Sequence, residues 1–466
     1  MKITRFLSAI SVAASAITAS AASIDDARRL AEDGDTQAAI TVLQQLEQET
    51  PRDAEVSKML GDLYLATARD AEALDAYNAA RRKGSREAVL ALAEMANIEY
   101  RVDDARQLVA DYRKLLKKGK RTIYPDNSGD IDERIDRTEN MLGRVEQIEV
   151  IDSLIVDADD FFTHYRLSPE SGSLNPVSEL PEGFDAAEPT VVYEPESRRQ
   201  MIWAVPDTTG SFALYSSSAL YGDSWETPIP LGADLGEGGD ANYPFLMPDG
   251  VTLYYANDGA NSLGGLDIFI SRRNDDGFLQ PQNLGMPYNS PYDDYLLAID
   301  ELTGVGWWAT DRNRIPGKVT IYVFVPQELR RNVDPDNPDL ISRARLTSIR
   351  DTWNPETDRA EIIERIIAVK NDVSNRQRQF EIAIPGRGIY TNYADFRTPQ
   401  ARDAMHKYVE NLEKVTSARQ RLAAMREGYA KGNRSDTDVI KQAEEQLDAA
   451  QAALITLRND VITLER

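Results

Sequence analysis

Tyr243 to Gly259 reads YPFLMPDGVTLYYANDG, and Gly264 to Ser271 follows as GGLDIFIS. Short apolar runs separated by Pro, Gly, Asn and Asp mark antiparallel strands rather than helices. Four strands are predicted here: Tyr243 to Met247, Thr252 to Ala256, Asp267 to Arg272 and Leu279 to Leu284, with Pro248-Asp249-Gly250 as the tight turn between the first two. The pattern recurs on both sides. Trp225 to Gly232 (WETPIPLG) aligns with Phe278 to Gly285 (FLQPQNLG) at a shift of 53, and Leu214 to Ser217 has counterparts in Ile268 to Ser271 and Ile321 to Phe324.

Four strands in each period of about 50 residues predict the blades of a small β-propeller over residues 148–326. The third copy, Asp294 to Val325, lacks the closing F-x-x-P-x-x-L-G strand. An open edge invites pairing with other chains, so the missing strand is expected from outside the repeats. Glu149 to Val156 upstream and Gln379 to Ile384 (QFEIAI) downstream both qualify. The run quoted first resembles the WD-type, Tol-system-like propeller repeat of bacterial envelope proteins. That resemblance implies that Asp249, Gly250, Gly264, Gly265 and Asp267 are structural parts of recurring turns.

Upstream the period changes. Ala27, Leu30, Ala39, Leu43, Leu46 and Pro51 are followed by Gly61, Tyr64, Ala73, Tyr77 and Ala80, with an offset of 34 from Ala27 to Gly61 and from Ala39 to Ala73. A slightly shortened third copy runs through Ala93, Ala96, Ala105, Val109 and Tyr112. This is the tetratricopeptide period: small residues let two antiparallel helices approach, and larger ones fill the gap. Residues 23–118 are therefore expected to form an α-solenoid, followed over 119–147 by a polar break and a linker helix from Ile131 to Val145. At the start, Lys2 and Arg5, the apolar run Phe6 to Ile17 and Ala19-Ser20-Ala21 have the order of a signal peptide over residues 1–22, with the mature chain expected to begin near Ala22 or Ser23. An exported chain with tetratricopeptide repeats followed by a few such blades resembles a layout of Bacteroidota-type envelope proteins, over roughly residues 24–326. Many of those end in a peptidoglycan-binding OmpA-like domain; none is recognised after Pro326, and cell-wall anchoring is not carried over.

The remaining third reads as helical. Residues 327–397 are expected to form a connector, with helices from Asp339 to Asp351 and Pro355 to Lys370 and a short strand pair (FEIAIP and GIYTN) about Gly386. Residues 398–466 are expected to form an antiparallel helical hairpin or coiled coil. Thr398-Pro399 opens its first helix and Gly428 with Gly432-Asn433 ends it. Ile440, Ala443, Leu447, Ala450, Leu454, Leu457, Val461 and Leu464 give the second helix a heptad seam, facing Met405, Tyr408, Leu412, Val415, Leu422, Met425 and Tyr429 on the first. The fold class is thus multidomain α + β.

Composition narrows the function. The 466 residues contain no Cys and two His, which removes disulfides, thiolate metal sites and cysteine nucleophiles and leaves little for His-based chemistry. His164 and His406 fall in different expected domains. Lys+Arg 53 against Asp+Glu 77 gives a net charge of −24, which argues against nucleic-acid partners. No segment after the leader runs long enough without charge to span a bilayer. Asp157-Ala158-Asp159-Asp160 lacks the turn glycine and closing Glu of a calcium loop, and the glycine-rich Gly232 to Gly239 opens no helix. No catalytic, cofactor-binding or metal-ligating residues are assigned. The expected function is a non-enzymatic scaffold or adaptor, periplasmic or outer-membrane-associated, with other envelope proteins as partners and self-association through the C-terminal helices. The alternative is a receptor or hydrolase acting on a glycan or peptide in the central channel, where Asp258, Asp267 or Asp311 would converge.

Overall fold

Six helices open the fold: α1 (Ile24–Glu32), α2 (Thr36–Glu49), α3 (Ala54–Ala66), α4 (Asp70–Arg82), α5 (Glu87–Ile98) and α6 (Val102–Leu116). A computed structural model describes residues 23–118, 121–122, 125–208, 210–220, 224–232, 235–236, 238–275, 277–327, 329–375, 380, 382–385, 387–390, 393–430 and 437–465; the expected leader lies outside them. The side chains of Ser23, Asp35 and Asp53 accept from the first-turn N–H groups of α1, α2 and α3, which fixes where these helices start. The repeated small residues sit where helices approach. Ala27, Ala39, Ala73, Ala80, Ala93 and Ala105 are fully buried, and a Cβ on Gly61 would lie 2.5 Å from the Tyr77 ring. After the short pair β1 (Lys117–Lys118) and β2 (Arg121–Thr122) comes α7 (Gly129–Leu142). The expected linker helix is part of the solenoid core instead: Ile131 and Ile135 pack with Ala93, Ala96, Ala105 and Val109 and cover the apolar face that the third pair would otherwise expose.

The middle of the chain is strand-rich and antiparallel. β3 (Glu149–Asp157) is followed by β4 (Ser173–Asn175), β5 (Val192–Glu194), β6 (Gln200–Pro206), β7 (Phe212–Ser218) and β8 (Ile229–Pro230), which form one sheet in the order β4-β5-β6-β7-β8. A second sheet holds β9 (Ala241–Leu246), β10 (Thr252–Asn257), β11 (Asp267–Asn274), β12 (Gly277–Phe278) and β13 (Gln282–Asn283). Of the fourth predicted strand, Leu279 to Leu284, only Gln282–Asn283 pairs with β11; Pro281 before it cannot donate to a ladder, and β12 pairs with the end of β11 just ahead of the predicted span. The third sheet holds β14 (Asp294–Asp300), β15 (Val305–Thr310) and β16 (Lys318–Val325), and β3 completes it in the order β14-β15-β16-β3. Of the two expected donors of the missing strand, the upstream one does the work, with pairs from Glu149 opposite Val325 to Asp157 opposite Lys318.

Two repeat-related irregularities set the first strands of the second and third sheets. The β9–β10 register shifts between Tyr254 and Ala256, and the β14–β15 register shifts between Tyr295 and Ala298. Tyr243 (φ 52°) and Leu296 (φ 50°) occupy these bulges, 53 residues apart, in a left-handed conformation that side chains of this size rarely adopt. Below them Trp308 packs with Tyr288, Tyr322 and Phe324, alongside Ile148 and Val150 from the incoming chain.

The described residues fall into two units that meet in sequence between Ile363 and Glu364. Before that point, the helix expected over Asp339 to Asp351 is shorter: α8 (Leu340–Arg345) ends where Leu346 turns left-handed (φ 52°) and buries its side chain with Trp308, and a 3-10 turn over Ile349–Thr352 follows. α9 spans Arg359–Asn375. In the C-terminal unit β17 (Ile382–Ile384) pairs with β18 (Gly388–Tyr390), so the downstream candidate strand is occupied locally. α10 (Pro399–Ala430) and α11 (Thr437–Glu465) run antiparallel. Thr398 Oγ1 donates to the Leu464 carbonyl at one end, and Arg426 pairs with Glu444 towards the other. Val415, Leu422 and Leu447 form the mid-helix core, whereas Met405 and Val461 pack with Ile382, Ile384, Tyr390 and Phe396. The first helix passes Gly428, and Gly432-Asn433 lie outside the described residues.

The close approach at Gly61 makes a test of the solenoid. Gly61→Val forces a branched side chain into the Tyr77 ring and should lower the helical unfolding midpoint by an amount equivalent to about 1–3 kcal/mol. An unchanged midpoint by far-ultraviolet circular dichroism would contradict the packing described.

Candidate functional site

The solenoid and the sheets share a seam. Tyr100, left-handed at φ 61° in the turn between α5 and α6, is buried with Met141, Leu142, Val145, Leu263 and Met286. Arg137 of α7 donates to the Ser262 carbonyl, and Arg314 pairs with Asp70 and donates to the Leu65 carbonyl. Behind Tyr100, Arg312 and Asp294 form a buried ion pair at 2.7 Å. Arg312 also donates to the carbonyls of Pro287 and Tyr288 at 3.0 and 2.6 Å and lies over the Tyr322 ring, so its charge is satisfied on several sides.

The three carboxylates expected to meet in a channel each accept from backbone N–H groups. Asp267 is fully buried and accepts from Leu263 N, Gly264 N and Asn283 Nδ2; burial pushes its carboxyl up to about 8 against those hydrogen bonds. Asp311 accepts from Asp293 N, and burial, reinforced by the Asp293 charge, pushes it up to about 7. Asp258 accepts from Asp240 N. These are repeat latches: Asp240 and Asp293, 53 apart, in turn accept from Phe212 N and Leu266 N. The space where the sheets meet is filled by rings. Tyr243 stacks on Tyr295 at 4.7 Å, and Phe161 meets both edge-on at 6.0 and 5.3 Å.

His164 is exposed in the 3-10 turn Phe161–His164, and His406 stacks on Tyr393 in the other unit. Asp157 pairs with Lys318, and the described part of Gly232 to Gly239 is a loop between β8 and β9. Among the described residues no three His, Asp or Glu side chains come together in a way that could hold a metal ion.

One cleft lies on the seam. It has a volume of about 250 Å³, with Glu94, Asn97 and Ile98 of α5 and Arg134 of α7 on one side and Leu263 and Pro291 on the other. Asn97 is 4% exposed, yet its Oδ1 has no hydrogen-bond partner, and neither has the buried Nε of Arg134. Arg134 is oriented through Nη2, which donates to Glu94 at 2.7 Å. Neither Asn97 nor Arg134 stands out in the sequence. The available signal is a lone Asn in the apolar helix EAVLALAEMANI. A second cleft of about 340 Å³, between Met141, Arg144, Leu284, Arg330 and Asn332, is already crossed by hydrogen bonds from Arg330 to the carbonyls of Leu284 and Arg144.

Asp311 gives a pH test with a definite sign. Its folded value lies above the ordinary carboxyl value of 3.8, so the native state holds the proton after the unfolded state has released it. The associated stability is complete below pH 3.8 and is lost as pH rises towards 7. Asp311→Asn still accepts from Asp293 N and should flatten that loss by up to about 2 kcal/mol between pH 5 and 7.5. Urea midpoints by tryptophan fluorescence read this directly, because all five Trp lie between residues 203 and 353. Equal slopes for wild type and variant would contradict it.

No curated protein and no solved structure matches the chain. The tetratricopeptide-repeat family profile matches residues 30–98, the span from α1 to the end of α5 that supplies Glu94, Asn97 and Ile98 to the cleft.

Proposed function

We propose that this chain is a non-enzymatic scaffold or adaptor of a bacterial cell envelope, holding other proteins through its helical repeats and C-terminal helices. The observation that carries the proposal is how the interior is used. Phe161, Tyr243 and Tyr295 fill the meeting point of the sheets, and the buried carboxylates there are committed to backbone N–H groups. Supporting it, the repeat match lies on a protein-binding architecture. The same filled interior gives no support to a glycan or peptide hydrolase in a central channel. In this reading the three sheets are blades of a small propeller, the second and third related by bulges 53 residues apart and the third closed by β3. The resemblance to Tol-like repeats and the leader-like residues 1–22 support a location in the periplasm or at the outer membrane in this reading. Among the described residues no helix is long and apolar enough to cross a membrane. The C-terminal pair, read as a coiled coil, leaves Met425, Val439, Ile455 and Leu464 exposed on long helices, which suits self-association or partner binding.

Recovery of partners from native envelopes tests the proposal. Tagged full chain, crosslinked in cells, should bring down a reproducible protein set, and a chain lacking residues 398–466 should recover at least threefold less of it. Full-length chain that recovers nothing above a tag-only control would overturn the scaffold reading.

A further inference from the structure

The third sheet ends on β3, and among the described residues no strand pairs beyond it. The register fixes where its backbone groups point. Ala158 N donates to the carbonyl of Gly317, its opposite in the series that pairs Asp157 with Lys318, so Asp152, Leu154 and Val156 exchange hydrogen bonds with β16. Ser153, Ile155 and Asp157 therefore turn their N–H and C=O groups away from the sheet. The register shift between Val323 and Phe324 reverses this at Val150, whose outward N–H and C=O are taken by Thr352 Oγ1 and Trp353 Nε1. That segment covers the start of the edge and leaves residues 153–157 open. The Ser153 N–H meets the carboxylate of its neighbour Asp152. The same three residues hold their side chains in solvent: Ser153 and Asp157 are exposed and Ile155 is 59% exposed, whereas Val156 is buried.

An edge in this state is a template for pairing, and residues 153–157 contain neither Lys nor Pro to blunt it. From this geometry we infer that β3 pairs antiparallel with β3 of a second copy of the chain, about a two-fold axis at Ile155. The charges choose the axis. With Ile155 opposite its counterpart, Asp157 falls opposite Ser153, whose hydroxyl donates to the carboxylate, and Asp152 falls opposite Ala158. No like charges then lie directly opposite. An axis at Ser153 would set Asp157 against Glu149, and one at Asp157 would set that residue against itself. Axes at Leu154 or Val156 would put the exposed Ile155 opposite Ser153 or Asp157 and lose its apolar pair. β3 ends at Asp157, so the second chain leaves the ladder before it reaches Val150 and the segment that covers it. Both edges are consumed by this self-complementary contact, and assembly stops at the dimer. The surface is separate from the C-terminal helices and goes beyond the scaffold reading.

Analytical ultracentrifugation of the full chain tests the contact. Wild type should show a reversible, concentration-dependent dimer. Ile155→Lys sets two like charges across the axis and should raise the dimer dissociation constant at least tenfold, whereas Ile155→Val keeps the apolar pair and should change it less than threefold. Because the chain has no Cys, the register can be read directly. Hydrogen-bonded antiparallel partners lie about 5.5 Å apart at Cα, within reach of a disulfide. Mild oxidation should link Ile155→Cys between two copies at least tenfold faster than Leu302→Cys, which is 63% exposed in the turn between β14 and β15. A monomeric wild type, a dimer that Ile155→Lys leaves as tight as before, or equal linking rates at the two positions would overturn the inference. None of these results touches the scaffold reading, which partner recovery from envelopes decides.

Discussion

The pairing of β3 with β16 is the constraint on which the rest of the first unit depends. Eight Cα pairs join residues 149–157 to residues 318–325, so the chain that leaves α7 enters the last sheet before the first sheet has been built. This covers the edge that β16 would otherwise present. It also brings together segments some 160 residues apart in sequence, an entropic cost that the buried apolar surface of β3 has to offset. The strand is tied again at its start. Glu149 accepts from Asn354 N and Thr357 Oγ1 and pairs with Arg359, while Trp353 Nε1 donates to the Val150 carbonyl. Chain from before and after the sheets is therefore fastened at one strand.

With the sheets held this way, charge inside them serves architecture. Asp300 accepts from Ser168 N and the hydroxyls of Ser168 and Ser171, fixing the segment between β3 and β4 against the third sheet. Asp240 with Asp258 and Asp293 with Asp311 repeat one latch at the repeat period. Each of these four carboxylates accepts from a backbone N–H and so ties one loop to the next.

Much of the fold was legible because it is written locally. Ala27, Gly61 and Ala93 mark helix crossings by size alone, and Pro248-Asp249-Gly250 marks a turn by backbone preference. The absence of a closing strand after Val325 was also readable. Which segment supplies it was not, because Glu149 to Val156 and Gln379 to Ile384 have similar apolar patterns and differ only in where the fold carries them. The pattern of α7 reads as a linker helix because its role lies in what Ile131 and Ile135 cover rather than in its own residues. Asn97 and Arg134 were invisible for a related reason. Their cleft needs Leu263 and Pro291 opposite, and no local pattern in the sequence records that meeting.

The position of β3 decides how the third sheet closes, and the absence of Cys from the chain makes that position directly measurable. Asp157 and Lys318 are partners across the ladder, Asp157 exposed and Lys318 half-buried, and they pair at 2.7 Å. Antiparallel neighbours lie about 4.5–5.5 Å apart at Cα, within reach of a disulfide. In the double variant Asp157→Cys/Lys318→Cys, mild oxidation of the purified full chain should consume both thiols within one chain, and peptide mapping should find residues 157 and 318 linked. Two free thiols per chain after the same oxidation, or links formed only between chains, would contradict the closure.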